Sequence, residues 1–118
     1  MTKFSSGSLE SIRQRVSNFA KERNWEQYHS PRNLLLAVMS EIGEVAEIVR
    51  WLGDSEAGIP ADKQEDWADE LADVLILLIR LADRSGVDLV KAFEHKFKKV
   101  EAKYPVEEFY GSNRKYNE

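Results

Sequence analysis

The sequence contains no cysteine, which removes several classes of functional site from consideration. Without thiols, the chain has no disulfide framework, no zinc–thiolate cluster and no cysteine nucleophile. No apolar run approaches the length of about 18 residues that a membrane-spanning helix needs. The N-terminal stretch Met1–Glu10 also lacks the apolar core of a secretion signal. We therefore expect a cytoplasmic protein that has no membrane partner.

Basic residues are fewer than acidic residues. The 118 residues include 17 Lys and Arg against 21 Asp and Glu, which gives a formal net charge of −4. Nucleic-acid grooves need a basic surface, so the composition argues against a nucleic-acid partner. A chain of this length suits one domain with a modest core. We expect a single domain over residues 1–118, with an ordered core over about 8–105 and a C-terminal tail over 106–118.

Apolar residues recur at helical spacing in four stretches, and no segment has the pattern of a strand. Helix-capping residues stand at the start of each stretch. The sequence therefore predicts an all-α, four-helix protomer with helices over about Leu9–Asn24, Ser30–Leu52, Asp62–Arg84 and Asp88–Pro105. The expected N-caps are Ser8, Ser30, Asp62 (in a capping box with Glu65) and Asp88. The expected core faces are Leu34, Leu35, Val38, Ile42, Val45, Val49 and Leu52 in the second helix, and Val74, Leu77, Leu78 and Leu81 in the third.

Acidic residues intrude on the apolar faces of the second and third predicted helices. At about 100° per residue, Glu41 falls inside the apolar sector of the second helix, while Glu44 lies at its edge and Glu47 lies further round. Glu70 falls within the apolar face of the third helix, and Asp73 lies at its edge. Each helix thus has two carboxylates at i,i+3 that point the same way.

A carboxylate at a core face is costly, so it must protonate, form an ion pair or bind a metal ion. If the two helices pack antiparallel, four carboxylates converge. Oxygen ligands without Cys or His suit Mg²⁺, with Mn²⁺ as a possible substitute, and Mg²⁺ commonly completes its shell with substrate phosphates. The pattern therefore favours a site for nucleoside triphosphates. Two other interpretations stay open at this point: plain solvated acids, and a buried salt-bridge network with Arg32, Arg50 or Arg80.

Two sets of residues resemble a known family. The segments Glu41-Ile-Gly-Glu44 and Glu70-Leu-Ala-Asp73 resemble the E-x-x-E…E-x-x-D motif of the MazG-like all-α NTP pyrophosphatase superfamily. The segment WEQYHSPRNLLLA at 25–37 is similar to the dCTP pyrophosphatase branch of that superfamily. Further similarity to this branch is found at Glu47, Trp51, Lys103-Tyr104-Pro105 and Arg114-Lys115-Tyr116.

The resemblance implies a protomer that assembles into dimers, often tetramers. It implies Mg²⁺-dependent hydrolysis between the α- and β-phosphates of a nucleotide, giving a nucleoside monophosphate and pyrophosphate, with dCTP as the best single substrate. A role in nucleotide-pool sanitation would fit. Val16 and Leu77 stand where the branch has His and Tyr, which leaves the base and sugar preference open. By position, the resemblance implies that the metal ligands are Glu41, Glu44, Glu70 and Asp73.

Phosphoryl chemistry of this kind depends on positioning and electrostatic stabilisation, so no covalent nucleophile is required. Glu44 or Glu47 could orient the attacking water, and the sequence does not choose between them. Trp25 and Trp51 could stack on a base, although large aromatic residues also serve as core or interface anchors. The expected substrate-binding residues are Trp25, His29, Asn33, Trp51, Lys99, Lys103, Arg114 and Lys115. Each of the four basic residues has the alternative of being a solvated surface charge.

Three rival functions are compatible with parts of the pattern. A di-iron carboxylate bundle needs E-x-x-H on two helices, and only Glu26 and His29 have that spacing, at an expected helix break. A non-enzymatic dimeric helical adaptor could bind a regulatory cation through the same acids. Within the enzymes, a relative acting on dUTP is the alternative to one acting on dCTP.

Overall fold

The computed structural model describes residues 3–54 and 58–118 of the chain. The described residues form five α-helices, two single 3₁₀ turns and no strand, which confirms the all-α prediction. No helix in these two ranges is long and apolar enough to cross a membrane. The helices are α1 (Leu9–Glu22), α2 (Pro31–Val49), α3 (Gln64–Arg84), α4 (Leu89–Lys103) and α5 (Val106–Phe109), and the 3₁₀ turns are Glu26–Tyr28 and Ala61–Lys63.

The four long helices match the predicted four, and three of their N-caps are confirmed. The side-chain oxygens of Ser8, Ser30 and Asp88 each accept a hydrogen bond of 3.1 Å from the backbone N–H three residues later. Pro31 occupies the first turn of α2, where its missing N–H costs no helical hydrogen bond. The short helix α5 was not predicted, because four residues are too few to show a period.

The predicted N-cap at Asp62 is wrong. Asp62 lies inside the 3₁₀ turn Ala61–Lys63, and α3 begins at Gln64 without a side-chain cap. An N-cap needs extended backbone at the capping residue itself. Here the extended residue is Pro60, with φ −55° and ψ 147°, so the chain already turns helically when it reaches Asp62.

Three of the four long helices end slightly earlier than predicted. The structure ends α1 at Glu22, α2 at Val49 and α4 at Lys103, whereas the predicted ends are Asn24, Leu52 and Pro105. Asn24 adopts a left-handed conformation with φ 55°, which Asn tolerates better than most residues. This conformation interrupts the helix and sends the chain into the 3₁₀ turn that precedes α2.

The described residues divide into two compact units, one that ends at Gly86 and one that begins at Val87. The first contains α1, α2 and α3, with α2 packed along α3 and α1 packed against α3. The second contains α4 and α5, and the ring of Tyr104 contacts that of Phe109 edge-on at 4.8 Å. The single domain over residues 1–118 stays a prediction, and its residues 1–2 and 55–57 lie outside the described ranges.

The buried core of the first unit is small, and each of its helices contributes to it. Several residues that the pattern assigned to the core are instead exposed, among them Leu35, Ile42 and Leu78 at 50%, 51% and 42%. For Leu35 and Ile42 the reason is that α2 is apolar over more than one face, while α3 covers only one. The buried apolar residues of the described chain are Ala20, Leu34, Val38, Ile79 and Ala82.

Candidate metal centre

Three carboxylates from two helices meet at one point of the α2–α3 interface. Glu41 and Glu44 lie one turn apart on α2, so they point the same way. Glu70 on α3 joins them, and one oxygen of each of the three lies within 4.8 Å of the others. The predicted convergence of acids from the two helices is therefore present for these three residues.

Two oxygens in this group are buried and have no hydrogen-bond partner, namely Oε2 of Glu41 and Oε2 of Glu70. Leaving a buried polar atom unsatisfied costs about 1–3 kcal/mol, and more when it is charged. A divalent cation would satisfy both atoms at once. The donor set consists only of carboxylate oxygens, which is the chemistry that Mg²⁺ and other hard cations prefer.

The crowding of like charges shifts the pKa values in this group upward. Hydrogen bonding with the Glu44 carboxyl, followed by burial and by repulsion from Glu44 and Glu41, raises the pKa of Glu70 from 4.5 to about 7. Burial, then the neighbouring Glu44, raises the pKa of Glu41 as well. Without a cation, the group therefore holds a proton at a pH where ordinary carboxyls are ionised.

Asp73, the fourth predicted ligand, is exposed one turn after Glu70. It is not one of the three residues whose oxygens converge. Its charge is close enough to contribute to the raised pKa of Glu41. Asp73 thus lies beside the cluster, and its role as a ligand stays a prediction.

The alternative of a salt-bridge network finds no support in the described ranges. There, no ion pair includes Glu41, Glu44, Glu70 or Asp73. Arg50 instead pairs with Glu47 at 2.9 Å. Arg80 approaches Asp83 at 3.4 Å and Glu26 at 3.9 Å.

The raised pKa of Glu70 predicts how stability should depend on pH. A carboxyl group whose pKa rises from 4.5 to about 7 on folding binds its proton more tightly in the folded state. This tighter proton binding stabilises the folded state fully at a pH below the pKa of the unfolded chain. The stabilisation is lost as the pH rises through the pKa of the folded state. In EDTA, we expect the unfolding temperature of the wild type to fall relative to that of Glu70→Gln between about pH 5 and about pH 8.

Thermal melts of both proteins at matched pH measure this difference, because the titration of all other groups is common to them. Cation binding requires deprotonated carboxylates, so Mg²⁺ should raise the unfolding temperature of the wild type more at about pH 8 than at about pH 5. Parallel pH profiles for wild type and Glu70→Gln would show that the proton is not held at Glu70.

The aromatic loop before α2 places two predicted substrate residues side by side. The Trp25 ring is 43% exposed and meets the His29 ring edge-on at 6.3 Å. His29 Nδ1 accepts a hydrogen bond of 2.9 Å from Arg80 Nε. The Asn33 amide donates to the Tyr28 carbonyl at 3.0 Å, so Asn33 stabilises the loop.

This arrangement does not favour the di-iron rival. His29 is bonded to Arg80 through Nδ1. In the described part of the chain, the group of side chains that could hold a metal ion consists of glutamates and contains no histidine. Over residues 3–54 and 58–118, the structure therefore gives the E-x-x-H pair of Glu26 and His29 no metal-binding partners.

The remaining predicted substrate residues lie on exposed surfaces. Trp51, just after α2, is 83% exposed, and the Arg50 guanidinium lies 4.8 Å from its ring. Lys99 is exposed on α4. Lys103 and Arg114 lie over the rings of Tyr116 and Phe109 at 4.8 and 4.4 Å, and the Lys115 N–H donates to the Glu118 carboxylate at 3.0 Å. All the basic candidates belong to the second unit.

Sequence reasoning missed the position of Arg80. The sequence offered Arg80 only as a possible partner of the acids in a buried salt-bridge network, and it did not indicate a pairing with His29. In the structure its side chain is only 2% exposed, and its shortest hydrogen bond is to His29. The available signal was an arginine within the apolar run 74–82, which needs buried partners that the local sequence does not name.

Comparisons with known proteins identify similar chains and a similar fold. The family model described as "MazG-like family" matches residues 38–118. The chain is 46% identical over 114 residues to dCTP pyrophosphatase 1 of Rattus norvegicus and 45% identical to that of Homo sapiens, covering 94% of this chain and 67% of each relative. A crystal structure of a pyrophosphatase from Archaeoglobus fulgidus superposes with a TM-score of 0.77 at 30% identity, over 89% of this chain and 99% of that one.

Proposed function

Because the chain belongs to the MazG-like family, we propose that it is a nucleotide pyrophosphohydrolase acting on dCTP or a related deoxynucleoside triphosphate. Hydrolysis between the α- and β-phosphates gives a nucleoside monophosphate and pyrophosphate. The observation that carries the proposal is the convergence of Glu41, Glu44 and Glu70 with two buried, unpartnered oxygens. The identity of 46% and 45% to two mammalian dCTP pyrophosphatases supports the choice of substrate.

The three glutamates, with Asp73 beside them, are the residues that would hold a divalent cation, with Mg²⁺ preferred and Mn²⁺ as a substitute. When bound, the cation neutralises charge on the polyphosphate and makes the phosphorus atom more electrophilic. By holding the cation, these carboxylates would fix the position of the substrate phosphates relative to α2 and α3. Such positioning supplies most of the catalysis in phosphoryl transfer.

A carboxylate at the site must also orient the attacking water. Glu44 is exposed within the cluster, whereas Glu47 is paired with Arg50 at 2.9 Å. Glu44 forms no ion pair with a basic residue in the described ranges, which favours it for this role. Glu47 would first have to leave Arg50.

His29 and Trp25, before the start of α2, would recognise the nucleoside, whereas Trp51, after the end of that helix, would contribute from a second copy of the chain. Trp25 and Trp51 present ring surface to solvent, and stacking on a base is worth about 1–3 kcal/mol. Binding of the phosphate tail by basic side chains stays a prediction from the sequence. These basic residues are Lys99, Lys103, Arg114 and Lys115.

We propose that a second copy of the chain covers the apolar surface that one copy leaves exposed. Leu36, Met39 and Leu75 are 50%, 61% and 39% exposed, and exposed large apolar side chains on neighbouring helices are typical of an interface. Light scattering during gel filtration should give a dimer or a tetramer. A monomer at all protein concentrations would refute this.

The cytoplasmic location stays a prediction.

Assays with a panel of canonical and modified NTPs and dNTPs, with Mg²⁺ and with EDTA, test the reaction and the base preference together. We expect dCTP to give the highest kcat/KM and the products to be dCMP and pyrophosphate. Release of orthophosphate instead would show that another bond is cleaved. A preference for dUTP would favour the alternative substrate, and no turnover of any nucleotide would favour the non-enzymatic adaptor.

A further inference from the structure

Arg80 is a charged residue in an apolar position. Its side chain is 2% exposed and lies on α3 beside the buried Ile79 and Ala82. A buried guanidinium is costly unless its protons find acceptors. Its Nη2 atom is buried and has no hydrogen-bond partner, and the Glu26 carboxylate is 3.9 Å away. A residue this costly calls for a reason beyond packing.

The shortest hydrogen bond of Arg80 is to the imidazole of His29, and not to a carboxylate. Nε donates to His29 Nδ1 at 2.9 Å, whereas the bond from Nη1 to Asp83 is longer, at 3.4 Å. Arginine is always protonated and only donates. Nδ1 must therefore carry a lone pair, so the proton of the neutral imidazole is on Nε2.

The two arginines near His29 also favour its neutral form. Burial, then the positive charges of Arg80 and Arg84, lowers the pKa of His29 below 6.5, against a smaller opposing effect of Glu26. Asp83 reaches the imidazole only through Arg80, and it also accepts a bond of 3.3 Å from Arg13 of α1. His29 is therefore a neutral donor at physiological pH.

A second arginine fixes the backbone of the same loop. Arg84, one turn after Arg80, donates through Nε to the His29 carbonyl at 3.1 Å and through Nη2 to the Glu26 carbonyl at 3.3 Å. Arg84 thus anchors the main chain, while Arg80 contacts the His29 side chain. The two substitutions can therefore be told apart by experiment.

The loop that contains His29 lies about one nucleotide length from the cluster of Glu41, Glu44 and Glu70. Glu41 is ten residues after the start of α2 at Pro31, and Arg80 is ten residues after Glu70 on α3. At 1.5 Å per residue, both spacings are about 15 Å. This span is comparable to an extended nucleotide, so phosphates at the glutamates would leave the nucleoside near His29.

We propose that Arg80 is a positioning residue for nucleoside recognition, which holds His29 as the neutral tautomer protonated on Nε2. His29 then offers a hydrogen-bond donor to an acceptor atom of the nucleoside. A neutral donor suits a base or sugar acceptor, whereas a phosphate would favour a cation. The inference rests on the proposed function, because it takes the nucleotide as the ligand.

The first test needs no nucleotide and no variant of Arg80. The chain has two histidines, His29 and His95, so a long-range proton–nitrogen NMR spectrum can be assigned with His95→Gln. We expect the His29 signals of the Nε2–H tautomer and a titration midpoint below 6.5. An Nδ1–H tautomer, or a midpoint at or above 6.5, overturns the proposal even if the enzyme is active.

The second test measures the consequence for substrate. In Arg80→Gln, we expect the His29 midpoint to rise, KM for dCTP to rise about tenfold and kcat to change less than about threefold. Arg80→Lys, which keeps the charge but not the planar Nε donor, should show the same loss. Arg84→Gln is the matched control, since it should leave the His29 tautomer unchanged.

A double-mutant cycle separates positioning from packing. If Arg80 acts through His29, Arg80→Gln should raise KM no further in a His29→Ala background. Additive effects on KM would mean that Arg80 acts by another route. If no nucleotide is hydrolysed by the wild type, the proposed function fails, and the NMR result still decides the tautomer.

Discussion

Glu41→Gln is expected to lower kcat at least about a hundredfold while leaving the chain folded. The substitution keeps the size of the side chain but removes one of the negative charges that converge with Glu44 and Glu70. Because a polyphosphate-bound cation needs these charges, we expect a lower affinity for Mg²⁺ and a lower kcat. The lower affinity should appear as a higher Mg²⁺ concentration for half-maximal rate. Steady-state kinetics across a Mg²⁺ series, with Mg²⁺ titration calorimetry, measures both.

The same substitution should have the opposite effect on stability. Burial and the neighbouring Glu44 raise the pKa of Glu41, which shows that its charged form is unfavourable when no cation is bound. In EDTA near pH 8, Glu41→Gln should therefore melt at a higher temperature than the wild type. Loss of activity together with a gain of stability separates a functional role from simple misfolding.

Two comparisons sharpen this prediction. Glu65→Gln makes the same change on the exposed first turn of α3 and should keep full activity. Asp73→Asn tests the fourth predicted ligand, and we expect a loss of activity there as well. If Glu41→Gln and Asp73→Asn both stay fully active, the metal-site assignment is wrong.

Ile79→Ala is expected to lower the free energy of unfolding by about 2–5 kcal/mol. Ile79 is 3% exposed and is one of only five buried apolar residues among those the structure describes. With so small a core, the surrounding side chains have little freedom to fill the cavity. Urea denaturation at several protein concentrations measures the loss.

Ile76 is the matched control on the same helix, because it is 42% exposed. In a single copy, Ile76→Ala should change stability by less than about 0.5 kcal/mol. If a second copy covers α3, the cost of Ile76→Ala should grow with protein concentration. Equal losses for both variants at every concentration would contradict the small core described here.

Features that depend on local chemistry could be predicted from the sequence. Three helix caps are an example, namely Ser8, Ser30 and Asp88. In each, the side-chain oxygen accepts a hydrogen bond from the backbone N–H three residues later, so the bond depends only on neighbouring residues. The convergence of Glu41 and Glu70 could be predicted because an acid on an apolar helix face needs a partner, and the neighbouring helix carries another such acid.

Features that depend on which surfaces meet could not be predicted. The apolar pattern of α2 assigned Leu35 and Ile42 to the core, yet both are about half exposed because one neighbouring helix covers only one face. Asp62 failed as a cap because Pro60 sets the turn before it. The partners of Arg80 lie in a loop 51 residues earlier in the chain, at His29.

By itself, the sequence determined the absence of thiol chemistry, the four long helices and the acids of the α2–α3 pair. These follow from residue type and from a period of 3.6 residues, which act over one or two turns. Tertiary structure decided that Asp73 lies beside the converged glutamates and not among them, and that Arg80 is buried against His29. These outcomes depend on how two helices and a loop pack, because burial and charge act through space between residues that are distant in the chain.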